Sequence, residues 1–170
     1  MKEKIILFTR VPKVGTTKTR LYDFMSPTEA VNIQKKLLKK NYDLLAEINR
    51  ELLVCHDGNS SDDKEMAELI SCEKFYYQKG DNLGDKMYNA LEEVISDSKV
   101  ILLGSDIFNL DKDIIEEAFD KLETHDVVIN PSEDGGYFLI GMKKAIKEVF
   151  DLPSYGDSSV LENLIKVLEK

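Results

Sequence analysis

The run KVILLGSD, from Lys99 to Asp106, constrains this chain more than any other stretch. Its apolar residues are consecutive, not alternating, so a strand built from them must be covered on both faces. Strands of that kind lie inside largely parallel sheets with helices packed above and below. A carboxylate, Asp106, follows at once. A charge at the end of a buried strand is costly unless it is hydrogen-bonded, paired with a cation or bound to a metal. One octapeptide therefore points both to a fold class and to a place for chemistry.

The rest of the chain fits the same layout. KIILFT (4–9), ELLVCH (51–56), KFYYQ (74–78), DVVIN (126–130) and GYFLIGM (136–142) read as further strands. Between them lie helical patterns. SPTE at 26–29 offers Ser26 as N-cap, Pro27 at the first helical position and Glu29 at the capping-box position. Ala30, Ile33, Leu37, Leu38, Leu44, Leu45 and Ile48 then recur at helical spacing. The turn DGNSSDD leads into a short helix near 62–70. Asn82 is placed to cap a helix whose inner face is Leu83, Met87, Ala90, Leu91, Val94 and Ile95. Asp111 opens another with Ile114, Ile115, Ala118, Phe119 and Leu122 inward, and Val160, Leu161, Leu164, Ile165 and Leu168 mark a closing one. The alternation argues for an α/β fold around a mainly parallel sheet. With 170 residues and no repeats or linkers, the expectation is a single domain over 1–170.

Charge and composition exclude several function classes. With 32 acidic against 23 basic side chains the net charge is −9, which disfavours non-specific nucleic-acid binding. No stretch reaches the length of a membrane span. IILF is too short for the apolar core of a signal peptide, and Cys55 and Cys72 lack CxxC spacing, so a reduced, cytoplasmic protein is expected. His56 and His125 are strand-end or surface residues without metal-ligand spacing.

Open α/β sheets bind ligands beyond the carboxyl ends of their strands. Three unusual segments fall there. FTRVPKVGTTKTRL, after the first strand, concentrates Arg10, Lys13, Lys18 and Arg20 in an acidic protein. It lacks the G-x-x-x-x-G-K-[ST] pattern, and no helix is expected to start at Thr19, so a Walker-type NTPase is a poor fit. Gly15 still permits close approach of backbone N–H groups to a pyrophosphate, with Lys18 and Arg20 adding charge and forked donors. The alternative is a solvated loop whose cations neutralise nearby acids. Asp106 suits a hard cation such as Mg²⁺, which takes one or two protein oxygens together with phosphate oxygens; alternatively Ser105 or Asp106 caps the next turn. In PSEDGGY, Glu133 and Asp134 precede Gly135 and Gly136. This is either a hairpin turn of common composition or a second acidic pair facing Asp106, sharing a metal or acting as a base.

Four motifs in order carry a resemblance: F-x-R-x-P-x-x-G-x-x-K-T-R-L from Phe8, QKGDNLGDKM (78–87), LLGSD (102–106) and PSEDGGYFLIGM (131–142). Together, over nearly the whole chain, they resemble a bacterial glycosyltransferase family of the arsenosugar-biosynthesis or radical-SAM/selenodomain-associated type. That family is similar to the nucleotide-diphospho-sugar transferases of GT-A fold and to the molybdenum-cofactor and 2-phospholactate guanylyltransferases. The resemblance implies a Rossmann-like three-layer sandwich with a mostly parallel, mixed central sheet. It implies that Arg10, Gly15, Lys18 and Arg20 hold nucleotide phosphates, with Ser105 beside them. Asp106 would hold Mg²⁺ or Mn²⁺ and act in catalysis. Gly80, Leu83 and Gly84 would border the nucleoside, and Asp134, Gly135 and Gly136 would line the acceptor or sugar side of the cleft. The chain departs from the family pattern at Phe108, where Pro is usual, and at Tyr155 in YGDSSVL (155–161), where Trp is usual.

The expected function is thus glycosyl transfer from a nucleoside diphosphate sugar to a small-molecule acceptor, with Asp134 orienting or deprotonating that acceptor. The runner-up is a nucleotidyltransferase taking NTP and a phosphorylated acceptor, ranked second because the loop has a single glycine. The departures at Phe108 and Tyr155 support a third reading, a non-catalytic nucleotide-sugar sensor.

Overall fold

The computed structural model describes residues 1–169. Strands β1 (Lys2–Thr9), β2 (Glu51–His56), β3 (Phe75–Tyr77), β4 (Ser98–Gly104), β5 (Val127–Pro131) and β6 (Tyr137–Met142) form one six-stranded sheet in the order β3-β2-β1-β4-β6-β5. β1 pairs in parallel with β2 and β4, and β2 with β3. β6 alone is reversed, antiparallel to both β4 and β5. The sheet is therefore mixed and mostly parallel, and the PSEDG segment makes the expected hairpin turn.

Helices α1 (Pro27–Ala46), α2 (Asp63–Ile70) and α4 (Lys112–Thr124) cover one face; α3 (Leu83–Val94) and α5 (Val160–Leu168) cover the other. The pleat explains why consecutive apolar residues were needed. Ile5, Leu7, Ile101 and Leu103 enter one apolar cluster, while Ile6, Val100 and Leu102 enter the other. Each such side chain, buried almost completely, contributes about 1.5–3 kcal/mol relative to exposure. The helices start where the sequence indicated. Ser26 and Glu29 exchange capping-box hydrogen bonds, Asn82 accepts from the Asp85 N–H at 2.9 Å, and Asp111 from the Ile114 N–H at 3.0 Å.

Several details differ from the sequence reading. The buried stripe of α1 comprises Ala30, Val31, Gln34, Leu38, Asn41 and Leu45, with Ile33, Leu37 and Leu44 only half-buried. Two amides thus occupy core-facing positions, and their partners lie at the end of β4. A 3-10 turn, Thr19–Leu21, forms where no helix was expected. His56 ends β2 and is fully buried.

The amino edge of the sheet is closed by charge. Lys99, buried at the start of β4, reaches Glu3 at 3.2 Å and also contacts Glu123, while Arg50 bonds Glu3 and forks onto Glu116. Among the described residues no helix is long and apolar enough to cross a membrane.

Gly141 in β6 lets α4 lie close to the sheet, because a Cβ there would stand 3.1 Å from Leu122 Cδ1 and 3.2 Å from Ile101 Cγ1. Gly141→Val is expected to lower unfolding free energy by about 1–3 kcal/mol through overpacking, read by urea denaturation.

Candidate functional site

The carboxyl ends of β1 and β4 are joined by a buried polar chain. Thr9 Oγ1 and Ser105 Oγ lie 2.7 Å apart, and Gln34 Nε2 donates to Ser105 Oγ at 3.1 Å. Thr9 in turn donates to the Arg10 carbonyl at 3.1 Å, so one consistent direction runs Gln34, Ser105, Thr9, Arg10. Asn41 Nδ2 donates to the carbonyls of Ser105 (2.8 Å) and Ile107 (2.9 Å). Ser105 is only 4% exposed, and its hydroxyl is committed inside the protein. Through these bonds Ser105 locks the platform that carries Asp106.

The basic loop is pinned on one side to the β2–α2 connection. Asp57 accepts the Val11 N–H at 2.7 Å and Arg10 Nε at 3.3 Å. Lys13 pairs with Asp62 at 2.7 Å; their hydrogen bond holds Asp62 below the usual carboxylate range and lifts Lys13 above the usual lysine one. Lys13 N–H donates to buried Thr17 Oγ1 at 2.8 Å, and Gly15 turns at the tip with φ +91°, exposed. The neutralising-loop alternative therefore describes Arg10 and Lys13.

Lys18 points elsewhere. Its backbone is left-handed, φ +51°, and its ammonium meets Asp106 Oδ2 at 3.0 Å. The lysine side chain is 18% exposed and the carboxylate 59%. A partly solvated pair of this kind contributes about 0.2–1 kcal/mol. Two residues on, Arg20 lies beside the segment after Tyr155: its Nη2 is 3.9 Å from where a Gly156 Cβ would be.

The β5–β6 turn is tightly built. Asp134 Oδ1 accepts from Ser132 Oγ and from the Gly136 N–H at 3.2 Å. These bonds, with Arg20 nearby, hold the carboxyl below the usual carboxylate range. Gly135, φ +85°, presses on the backbone of Ser158, where a Cβ would stand 2.3 Å from the carbonyl oxygen. Its own carbonyl accepts the Leu161 N–H at 2.9 Å.

The expected nucleoside border divides. Gly80 and Leu83 are exposed before and at the start of α3, but Gly84 is buried, its Cβ position 2.1 Å from the Phe150 carbonyl and 3.0 Å from the Tyr155 ring. Gly84 is required for packing against this segment. Phe108 is 71% exposed, with Lys40 bonded to its carbonyl at 2.8 Å. Among the described residues no group of three or more His, Cys, Asp or Glu is gathered to hold a metal. Asp106 fits the other mode, in which one exposed carboxylate and phosphate oxygens share a hard cation.

Sequence reasoning missed Gln34, Asn41, Asp57 and Gln78. Gln78 Nε2 donates to the Thr9 carbonyl at 2.8 Å and ties the exit of β3 to the site. The available signal was two amides seven residues apart on the apolar stripe of α1.

A family model described as "Uncharacterized protein conserved in bacteria (DUF2064)" matches residues 41–157. The chain belongs to the DUF2064 family. Among curated proteins, this DUF2064 chain is 27% identical over 144 residues to a 2-phospho-L-lactate guanylyltransferase of Methanobrevibacter ruminantium, a match that takes in 79% of this chain and spans 62% of that enzyme's length. Among solved structures, a nucleotide-diphospho-sugar transferase from Desulfovibrio desulfuricans superposes with TM-score 0.90 at 28% identity, over 99% of this chain and 76% of that one. A cytidylyltransferase from Leptospira borgpetersenii, 14% identical with TM-score 0.57 over all of this chain and 72% of its own, shares the fold.

Asn41→Leu removes both donors to the 105–107 backbone and is expected to destabilise the protein by about 1–3 kcal/mol, read by urea denaturation.

Proposed function

We propose that this DUF2064 protein is a nucleotidyltransferase that joins an NTP to a phosphorylated small-molecule acceptor and releases pyrophosphate. The observation that carries the reading is the Lys18–Asp106 pair, set beyond the carboxyl ends of β1 and β4, where open α/β sheets bind ligands. The relatives' names favour nucleotidyl over glycosyl transfer and reverse the order expected from the loop's single glycine.

Asp134 supplies the physical argument for that order. Glycosyl transfer to a hydroxyl benefits from a general base, and an effective base has a pKa near the working pH. Asp134 is held low by Ser132 and Gly136, which makes it a weak one. A phosphate monoester needs no base, since its second ionisation lies near pH 6. In the proposed step an acceptor phosphate oxygen attacks the α-phosphorus of the NTP. The new P–O bond forms as the bond to the bridging oxygen breaks, and that oxygen leaves with the electron pair as pyrophosphate. Lys18 moves from Asp106 to the phosphates and offsets charge growing on the leaving group. A Mg²⁺ or Mn²⁺ ion on Asp106 would neutralise phosphate charge. Exposed Gly15 leaves the loop backbone open to phosphate oxygens.

Incubation with GTP and 2-phospho-L-lactate, then with a wider panel of NTPs and phosphorylated acceptors, is expected to release pyrophosphate, and Lys18→Ala to abolish nucleotide binding. Consumption of a nucleoside diphosphate sugar without pyrophosphate would restore the glycosyltransferase reading, and binding without turnover the sensor. Asp134→Asn is expected to cost under roughly ten-fold in kcat, against the 10²–10⁴-fold loss usual for a general base. In EDTA, Asp106→Asn is expected to bind GTP roughly five-fold or more tighter than wild type in calorimetry, because Lys18 is freed and a like charge is removed.

A further inference from the structure

We infer that Arg20 is the anchor for an anionic group of the acceptor and does not hold the nucleotide's phosphates; this rests on the nucleotidyltransferase reading. The loop cations are not equivalent. Arg10, Lys13 and Lys18 each have a carboxylate partner, at 3.3, 2.7 and 3.0 Å. Among the described residues Arg20 has no acidic side chain within ion-pair distance, although acids stand close by in the chain segments it faces.

Those acids are satisfied by other groups. Asp134 accepts from Ser132 Oγ and the Gly136 N–H. Asp157, next to Gly156, accepts from Ser154 Oγ, from Ser159 Oγ and from the Ser159 N–H at 2.8 Å. These bonds hold its carboxyl, too, below the usual range. Serine hydroxyls and backbone N–H groups thus supply the hydrogen bonds of both acids, and Arg20 acts on Asp134 only through space. The arrangement leaves an exposed guanidinium, with its planar fork of N–H donors, available to an external anion.

Its position says which anion. The turn 132–136 and the segment 154–159 are locked together by the Gly135–Ser158 contact and the Leu161–Gly135 hydrogen bond, and Arg20 lies against Gly156 on their surface. The 3-10 turn beginning at Thr19 separates Arg20 from Lys18, whose ammonium is turned toward the end of β4. In this reading Lys18, paired at the end of β4, serves the donor, and Arg20, beside Gly156, serves the acceptor. The acceptor class that fits is a phosphorylated acid: one anion attacks, and a second, carboxylate or phosphate oxygen, is gripped bidentately.

The test compares wild type, Arg20→Ala, Arg20→Lys and Lys18→Ala by calorimetry. Titrants are GTP with Mg²⁺, and then 2-phospho-L-lactate, L-lactate and inorganic phosphate, each with and without a saturating non-hydrolysable GTP analogue. Arg20→Ala is expected to leave GTP affinity within about three-fold while weakening 2-phospho-L-lactate by about 10- to 100-fold, the loss of a charged hydrogen-bonded contact. Arg20→Lys is expected to recover part of it. Loss confined to L-lactate and 2-phospho-L-lactate assigns the fork to the carboxylate; loss extending to inorganic phosphate assigns it to phosphate. The inference is overturned if Arg20→Ala weakens GTP as much as Lys18→Ala does. It is equally overturned if no anion binds wild type, or if anion affinity ignores residue 20. If wild type binds no NTP yet loses anion binding in Arg20→Ala, the function reading fails and the anion site stands.

Discussion

Everything at the candidate site depends on the parallel pairing of β1 with β4. Their register runs from Lys2 opposite Ser98 to Phe8 opposite Gly104, so both strands finish level. Thr9 and Ser105, the next residues, are then close enough to share a hydrogen bond of 2.7 Å. The loop after one strand and the carboxylate after the other are consequently held side by side. A slip of one residue would turn every side chain of β1 to the wrong face and exchange the two apolar clusters. The core thus fixes the register, and the register fixes the chemistry.

The two ends of the sheet use charge in opposite ways. At the amino end Lys99, Glu3, Arg50, Glu116 and Glu123 saturate one another, with Arg50 at half-buried depth forking onto Glu116 at 2.7 and 2.8 Å. Breaking such pairs leaves an uncompensated charge, so that end resists change. At the carboxyl end the Arg10–Asp57 and Lys18–Asp106 pairs are partly solvated, and Arg20 has no acid within ion-pair distance among the described residues. Because Asp134 and Asp157 draw their hydrogen bonds from hydroxyls and N–H groups, neither forms an ion pair with Arg20 among the described residues.

Much of the frame was legible in the sequence. KVILLGSD marked a doubly covered strand, and SPTE and Asn82 marked helix starts, because these signals are local: period, cap chemistry and β-branching. The site was legible only as a set of strand ends. Which cation meets which acid was not, because Lys18 and Asp106 are far apart in sequence and meet only through β1–β4 pairing. Gln34 and Asn41 were hidden for the opposite reason. An amide on an apolar stripe is easily taken as an interruption, yet here Gln34 donates to the buried Ser105 hydroxyl and Asn41 to the loop carbonyls of Ser105 and Ile107. Gly84 and Gly135 add a packing demand that the motifs did not reveal: a Cβ at either would meet backbone oxygen.

Magnitudes decide what holds Lys18 ready. A residue other than glycine in the left-handed region costs roughly 1–2 kcal/mol. The ion pair with Asp106 returns about 0.2–1 kcal/mol and does not by itself cover that strain. The remainder comes from the loop: the Lys18 carbonyl accepts the Leu21 N–H at 2.9 Å, the Thr17 N–H reaches the Lys13 carbonyl at 3.1 Å, and Thr17 is buried beneath them. The backbone posture of Lys18 therefore survives when Asp106 is released. On the proposed reading, an incoming anion would displace a side-chain contact without reorganising the loop.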